Sequence, residues 1–86
     1  MGSYSVEFTR NAAKEFKDLP AKDRARVHAR ISSLAGDPRP TGAEKLSLRE
    51  RYRLRQGDYR ILYTIEDALV RIVIVKIAHR RDVYRR

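Results

Sequence analysis

Tyr52-Arg53-Leu54-Arg55-Gln56-Gly57-Asp58-Tyr59-Arg60-Ile61-Leu62-Tyr63-Thr64-Ile65 reads as two strands and a turn. Tyr52 to Arg55 alternates apolar and basic, the period of a half-buried strand. Gln56-Gly57-Asp58 carries turn residues, and Tyr59 to Ile65 is a second strand, so the stretch predicts a β-hairpin. On a strand, residues two apart share a face. Arg53 and Arg55 therefore project together, Arg60 joins them from the paired strand just across the turn, and Arg51 extends the row.

Outward from this hairpin the pattern changes twice. On the N-terminal side, Ser3 to Phe8 alternates as a strand, and Thr9 is placed to cap a helix. Ala12, Phe16 and Leu19 follow at spacings of four and three, one face of a helix over Asn11 to Asp18. Pro20 disfavours helical geometry at Leu19 and can itself open a second helix. Asp23 lies in that helix's first turn, where the dipole favours an anion. Val27, Ile31 and Leu34 form its apolar stripe, and Gly36 is a stop signal. The two helices are expected as an antiparallel hairpin. Asp37-Pro38-Arg39-Pro40-Thr41-Gly42 is a loop by composition. On the C-terminal side, Glu66-Asp67 marks another turn. Leu69 to Ala78 is rich in Val and Ile and apolar on both faces, so it is expected as the central, most buried strand. His79 to Arg86 is a basic tail.

The order is β-α-α-β-β-β. It predicts an α+β fold: an antiparallel sheet with a two-helix hairpin packed on one face and the arginines on the other. Eighty-six residues make one domain, spanning 1–86. A chain this small buries only about 60% of its unfolded surface, so its stability is marginal without a partner.

The chain holds 20 Lys and Arg against 11 Asp and Glu, a net charge of +9. Residues 1–44 carry 8 basic and 6 acidic side chains; residues 45–86 carry 12 and 5. The excess in the second half is mostly arginine, whose planar fork fits phosphate bidentately. A polyanionic partner follows: RNA, DNA or an acidic protein. The absence of cysteine excludes disulfides, thiol catalysis and cysteine-ligated zinc. No apolar stretch approaches the roughly 20 residues of a membrane helix, and the N-terminus lacks a signal-peptide layout. A cytoplasmic protein is expected, with no membrane partner.

Several kinds of chemistry find no residues here. His28 and His79 are not in metal-ligand spacing. There is no Gly-rich phosphate loop and no close carboxylate pair on one strand. What remains is arginine and tyrosine: Arg51, Arg53, Arg55 and Arg60 on the hairpin, then Arg80 and Tyr84 after the last strand. Arginines alternating on a strand are, taken alone, often just the wet face of a sheet, and Tyr52, Tyr59 and Tyr63 suit a core. Clustering on adjacent strands favours a site. Guanidinium groups gathered on one face repel unless an anion lies among them, and a phosphodiester is such an anion.

Tyr52-Arg53-Leu54-Arg55, Gly57-Asp58-Tyr59-Arg60-Ile61-Leu62-Tyr63 and His79-Arg80-Arg81-Asp82-Val83-Tyr84-Arg85 together resemble the RelE family of toxin–antitoxin modules. The leading strand, the Leu19-Pro20 link and the Asp37-Pro38-Arg39-Pro40 loop fit the same pattern, so the resemblance covers nearly the whole chain. The hairpin part is shared with the wider RelE/ParE superfamily, and the closing run is the more discriminating part. The resemblance implies a microbial-ribonuclease-like fold. It also implies a metal-independent endoribonuclease that enters the ribosomal A site, against 16S rRNA, and cleaves mRNA there. The nucleophile is the 2′-hydroxyl and the product a 2′,3′-cyclic phosphate. The family's functional positions fall on Arg53, Arg55, Arg60, Arg80 and Tyr84, with Arg51, His79 and Arg81 as further RNA contacts. Tyr84 is either the base or a stacking surface. Arginine at 53 and 55 supplies electrostatic help without proton transfer. No cofactor is implied. A cognate RelB-like antitoxin, acidic and partly disordered, is implied as partner, with operator DNA contacted only through the antitoxin complex. Two other functions fit the same charge: a gyrase poison of the ParE kind, and a ribosome or nucleic-acid binder without turnover.

Overall fold

The structure is a computed structural model that describes residues 3–46, 51–79 and 81. Strand β1 (Ser5–Phe8) leads into helices α1 (Arg10–Lys17) and α2 (Ala21–Ser33). Strands β2 (Glu44–Leu46), β3 (Arg51–Gln56) and β4 (Tyr59–Glu66) follow, then one 3-10 turn (Asp67–Leu69) and β5 (Arg71–His79). The strands make one sheet in the order β1-β5-β4-β3-β2. The β1–β5 pair is parallel and the other three are antiparallel.

The expected α+β architecture is present, with three differences. The short strand β2 adds a fifth member beside β3. The first strand pairs in parallel. The Val/Ile-rich strand runs from Arg71 rather than Leu69 and lies second in the sheet, so β4 holds the centre. A register shift explains why β5 reads as apolar on both faces. Leu62 opposes Lys76 but Tyr63 opposes Ile74, leaving Val75 as an extra residue. Such a bulge displaces the alternation by one, so Ile72, Ile74 and Ile77 all turn inward. Leu69 belongs to the turn and is 61% exposed.

Local chemistry sets the helix boundaries. Thr9 has extended geometry, and its hydroxyl accepts the Ala12 N–H at 3.1 Å, an N-cap for α1. Pro20 stands at the start of α2, and Arg24 reaches back to donate to the carbonyls of Leu19 (3.0 Å) and Lys17 (3.2 Å). That contact closes the link between the helices. Ala12, Val27, Ile31 and Leu34 then pack in one cluster with Tyr52, Leu54, Ile61, Tyr63, Ile65, Ile72, Ile74 and Ile77 from the sheet. Both helices therefore cover the same face, as expected.

Two further contacts frame the sheet. Where β1 ends, α1 takes over the β5 edge: Ile77 N–H donates to Glu15 Oε1 at 2.8 Å, and Lys76 pairs with Glu15 Oε2 at 3.2 Å. The loop after α2 is pinned to the core face. The buried Tyr63 hydroxyl donates to the Pro38 carbonyl at 2.8 Å. Arg39 Nε donates to the Tyr52 hydroxyl at 3.0 Å, and its Nη2 pairs with Asp67 at 2.9 Å.

Burial pushes the Tyr63 phenol up to about 12. A phenol whose folded pKa exceeds its unfolded value of about 10 contributes stability that is present below pH 10 and lost as pH rises through 12. Urea unfolding of the wild type should therefore weaken over that interval more than unfolding of Tyr63→Phe. Parallel pH curves for the two proteins would contradict this.

Candidate nucleic-acid interface

The alternation of β3 sorts its side chains. Tyr52 and Leu54 are buried against the helices, so Arg51, Arg53 and Arg55 project from the opposite, open face. A two-residue turn, Gly57-Asp58, joins β3 to β4, since Gln56 opposes Tyr59. Gly57 has φ +60°, which a left-handed turn position requires and glycine supplies without strain. That turn fixes the register: Arg55 lies directly opposite Arg60, and Arg53 opposite Leu62. On the other side of β3, Arg53 opposes Glu44 of β2.

Gly42, Glu44, Arg53, Arg55 and Arg60 line a cleft of about 330 Å³ on this face. Arg60 is the one buried charged residue among those described, 7% exposed, with Ala78 opposite it on β5. Directly opposed Cβ atoms in such a pair lie only about 4.5–5.5 Å apart. Arg55 and Arg60 therefore set two positive charges side by side, and among the described residues neither has an ion-pair partner.

Glu44 is the carboxylate in this cleft. Arg53 donates to its Oε1 from both Nε (3.1 Å) and Nη2. That hydrogen bond holds the Glu44 carboxyl below the usual carboxylate range, and the charges of Arg53, Arg55 and Arg60 act in the same direction. Three guanidinium groups against one carboxylate leave the cleft two charges positive. It can accept an anion, and best one carrying more than a single negative charge.

The predicted residues are distributed as follows. Arg53, Arg55 and Arg60 come together in the cleft. Arg51 lies on the same face, exposed, at the far end of β3, opposite Thr64. His79 lies on the other side. It pairs with Tyr59 and packs edge-on against that ring at 5.4 Å, and the Tyr59 hydroxyl donates to Asp23 of α2 at 3.2 Å. Together they border a depression of about 220 Å³ on the helix side. The alternation of β5 accounts for this: Ala78 takes the cleft side and its neighbour His79 the helix side. Arg81 is exposed, and its backbone N–H donates to His79 Nδ1 at 3.1 Å. Arg80 and Tyr84 lie outside the described residues. Tyr52, Tyr59 and Tyr63 face the helices, as their composition suggested.

Glu44 and Gly42 are the cleft residues that sequence reasoning missed. They follow or close the Asp37–Gly42 loop, and the three residues of β2 are too few to show a period. The available signal was Gly42, which has φ +99° and ends the loop two residues before the new strand.

Residues 6–84 match the family described as "ParE toxin of type II toxin-antitoxin system, parDE". The chain is also 34% identical over 85 residues to Toxin RelG of Mycobacterium tuberculosis, covering 96% of this chain and 98% of that protein. It belongs to the RelE-type toxins of the RelE/ParE superfamily. This RelE-type toxin superposes on the toxin of the Mycobacterium tuberculosis RelBE2 toxin–antitoxin complex with a TM-score of 0.81 and 30% identity, over 92% of this chain and 93% of that one. The isolated Escherichia coli RelE toxin gives a TM-score of 0.82 over 90% and 84% of the two chains, at 19% identity, and so shares the fold.

Like charges placed opposite each other destabilise a sheet by about 0.2–1 kcal/mol. Arg55→Gln should therefore stabilise the toxin by a few tenths of a kcal/mol at about 0.01 M ionic strength. The gain should fade near about 1 M, where the Debye length falls to about 3 Å. Urea titrations at both salts check this, and a loss of stability at low salt would contradict it.

Proposed function

We propose that this toxin is a metal-independent endoribonuclease that cleaves mRNA in the ribosomal A site by 2′-hydroxyl attack. The observation that carries the reading is the convergence of Arg53, Arg55 and Arg60 on one open cleft with a surplus of two positive charges. Cleavage turns a singly charged phosphodiester into a dianionic phosphorane. A fixed field of cations gains most where charge develops, so it lowers the barrier more than it tightens ground-state binding.

Each arginine has a distinct part. Arg60 is buried on the sheet and confined between Arg55 and Ala78, which suits the fixed donor to the non-bridging oxygens. Arg55 supplies the second cation beside it. Arg53, already bonded to Glu44, stands at the cleft wall and is half-exposed, able to reach the backbone of an incoming strand. Arg51 extends the positive track along β3 toward the adjoining phosphate. Arg80 and Tyr84 are assigned by resemblance to the same centre: Arg80 at the family's general-acid position, where a guanidinium is a reluctant proton donor, and Tyr84 beside the nucleophile and its base. In this reading the ribosome, through its 16S rRNA, presents the mRNA to the cleft. Arg81 and His79 are assigned to rRNA or flanking RNA.

The same cleft explains the need for an inhibitor. Relatives of this fold are crystallised as RelB–RelE complexes, among them RelBE2 of Mycobacterium tuberculosis and RelE–RelB of Pyrococcus horikoshii. A chain of charge +9 suits a cognate RelB-like antitoxin that is acidic and partly disordered. Contact with operator DNA then belongs to the antitoxin half of the complex.

The test is primer extension on ribosomes stalled at a defined codon. The wild type should cut within the A-site codon. Arg60→Ala should lose about 10²–10³-fold in rate, the scale of one oxyanion donor, and Tyr84→Phe should fall sharply. A second reading draws on the ParE description of the matched family: a gyrase poison without nuclease activity. Inhibition of gyrase supercoiling, with mRNA left intact on translating ribosomes, would establish that reading and overturn the first.

A further inference from the structure

We propose that Glu44 is the general base that removes the proton from the attacking 2′-hydroxyl. This rests on the ribonuclease reading above, gives Tyr84 a stacking ring and a hydroxyl contact to the nucleotide in place of the base's role, and supplies the group that the arginines cannot provide. A guanidinium stays protonated at any working pH, so Arg53, Arg55 and Arg60 can compensate charge but cannot accept a proton. Of the five residues that line the cleft, Glu44 is the only one with a side chain that can.

Its geometry fits the task. Both hydrogen bonds from Arg53 go to Oε1, leaving Oε2 without a partner among the described residues. The side chain is 62% exposed, so a ribose can reach it. Register places Glu44 beside Arg53, with Arg55 and Arg60 beyond, so a phosphate held by the last two brings the adjoining ribose toward Oε2. Arg53 acts here as a positioning residue that fixes the carboxylate by one oxygen and leaves the other for chemistry.

The step balances without a co-reactant. Glu44 Oε2 takes the 2′-hydroxyl proton as the 2′-oxygen forms its bond to phosphorus. The bond from phosphorus to the 5′-oxygen breaks, and that oxygen takes a proton from water. The products are a 2′,3′-cyclic phosphate and a 5′-hydroxyl, and Glu44 returns its proton to solvent.

The three arginines make Glu44 a weak base in the free protein, since they stabilise its anion. The substrate corrects this. A phosphate entering between Arg55 and Arg60 brings negative charge close to the carboxylate and partly neutralises the cations, and a like charge nearby raises a carboxyl pKa. The base thus strengthens only when its substrate is present. The charged groups that face it are Arg53 and Arg55 of β3 and Arg60 of β4, with Lys45 as its neighbour on β2.

Glu44→Gln keeps an oxygen for Arg53 but removes the base. In single-turnover cleavage on stalled ribosomes, it should lower the rate about 10²–10⁴-fold, the usual contribution of a positioned base. Ribosome affinity should hold or rise, since the variant removes the cleft's one negative charge, and the urea midpoint should move little, as for any largely exposed ion pair. Glu44→Asp should recover part of the rate. The wild-type rate should climb with pH on the acid side and then level, and that limb should vanish in Glu44→Gln. If Glu44→Gln cuts as fast as wild type or faster, with an unchanged pH profile, Glu44 is merely an ion-pair partner and the assignment is wrong. If the wild type itself leaves mRNA intact, the ribonuclease reading fails and Glu44 falls with it.

Discussion

Arg55 faces Arg60 across β3 and β4, and among the described residues no carboxylate pairs with either. Two cations on adjacent strands cost stability unless something anionic joins them. The rest of the sheet makes that arrangement tolerable. Tyr52 and Leu54 alternate with the arginines of β3 and are buried on the other side, so the strand is held by its apolar half while its charged half faces the open side. The Gly57-Asp58 turn permits no slip, because a shift of one residue would send every arginine into the core.

The core face carries a second polar arrangement with the opposite logic. Tyr63, Tyr52, Arg39, Asp67 and Tyr4 are joined through hydrogen bonds that tie the loop after α2, the middle of the sheet and the β4–β5 turn together. Every charge there has a partner. Hydrogen bonds from Arg39 and the Tyr4 hydroxyl hold the Asp67 carboxyl below its ordinary value, as pairing of an anion does. On the open face the cations exceed the anions. The contrast separates an arginine whose charge is matched within the fold from arginines whose summed charge the described residues do not balance.

Much of this was legible from residue patterns. The 52–65 hairpin, Thr9 as a cap, Pro20 at a helix start and the Val27, Ile31, Leu34 stripe each depend on local chemistry, and local chemistry is written in short windows. Arg53, Arg55 and Arg60 could be placed on one face because strand periodicity and a two-residue turn fix them jointly. What escaped depends on distant pairing. Glu44 enters the cleft only through its register with Arg53, nine residues away across a connection that carries no periodic signal. The parallel pairing of Ser5–Phe8 with β5 joins the two ends of the chain. The bulge at Val75 disguised a one-sided strand as a two-sided one. His79 follows Ala78 on an extended strand, and alternation alone turns it away from the cleft, to the helix side beside Tyr59.

The carboxylate of Glu15 bears on how this molecule meets others of its kind. A bare strand margin invites a neighbour's backbone to zip on, and stacked copies then grow without limit. By holding the Ile77 amide, α1 fills the stretch of the β5 margin that β1 is too short to cover. A newcomer would have to evict Glu15 and break its pairing with Lys76 before making its first bond there. Among the described residues, the opposite margin is the three-residue β2, bearing Glu44 and Lys45, followed by the end of β3 with Arg55, so it is brief and charged. A sheet shielded in both ways can leave its basic face bare without its backbone recruiting further copies into fibres.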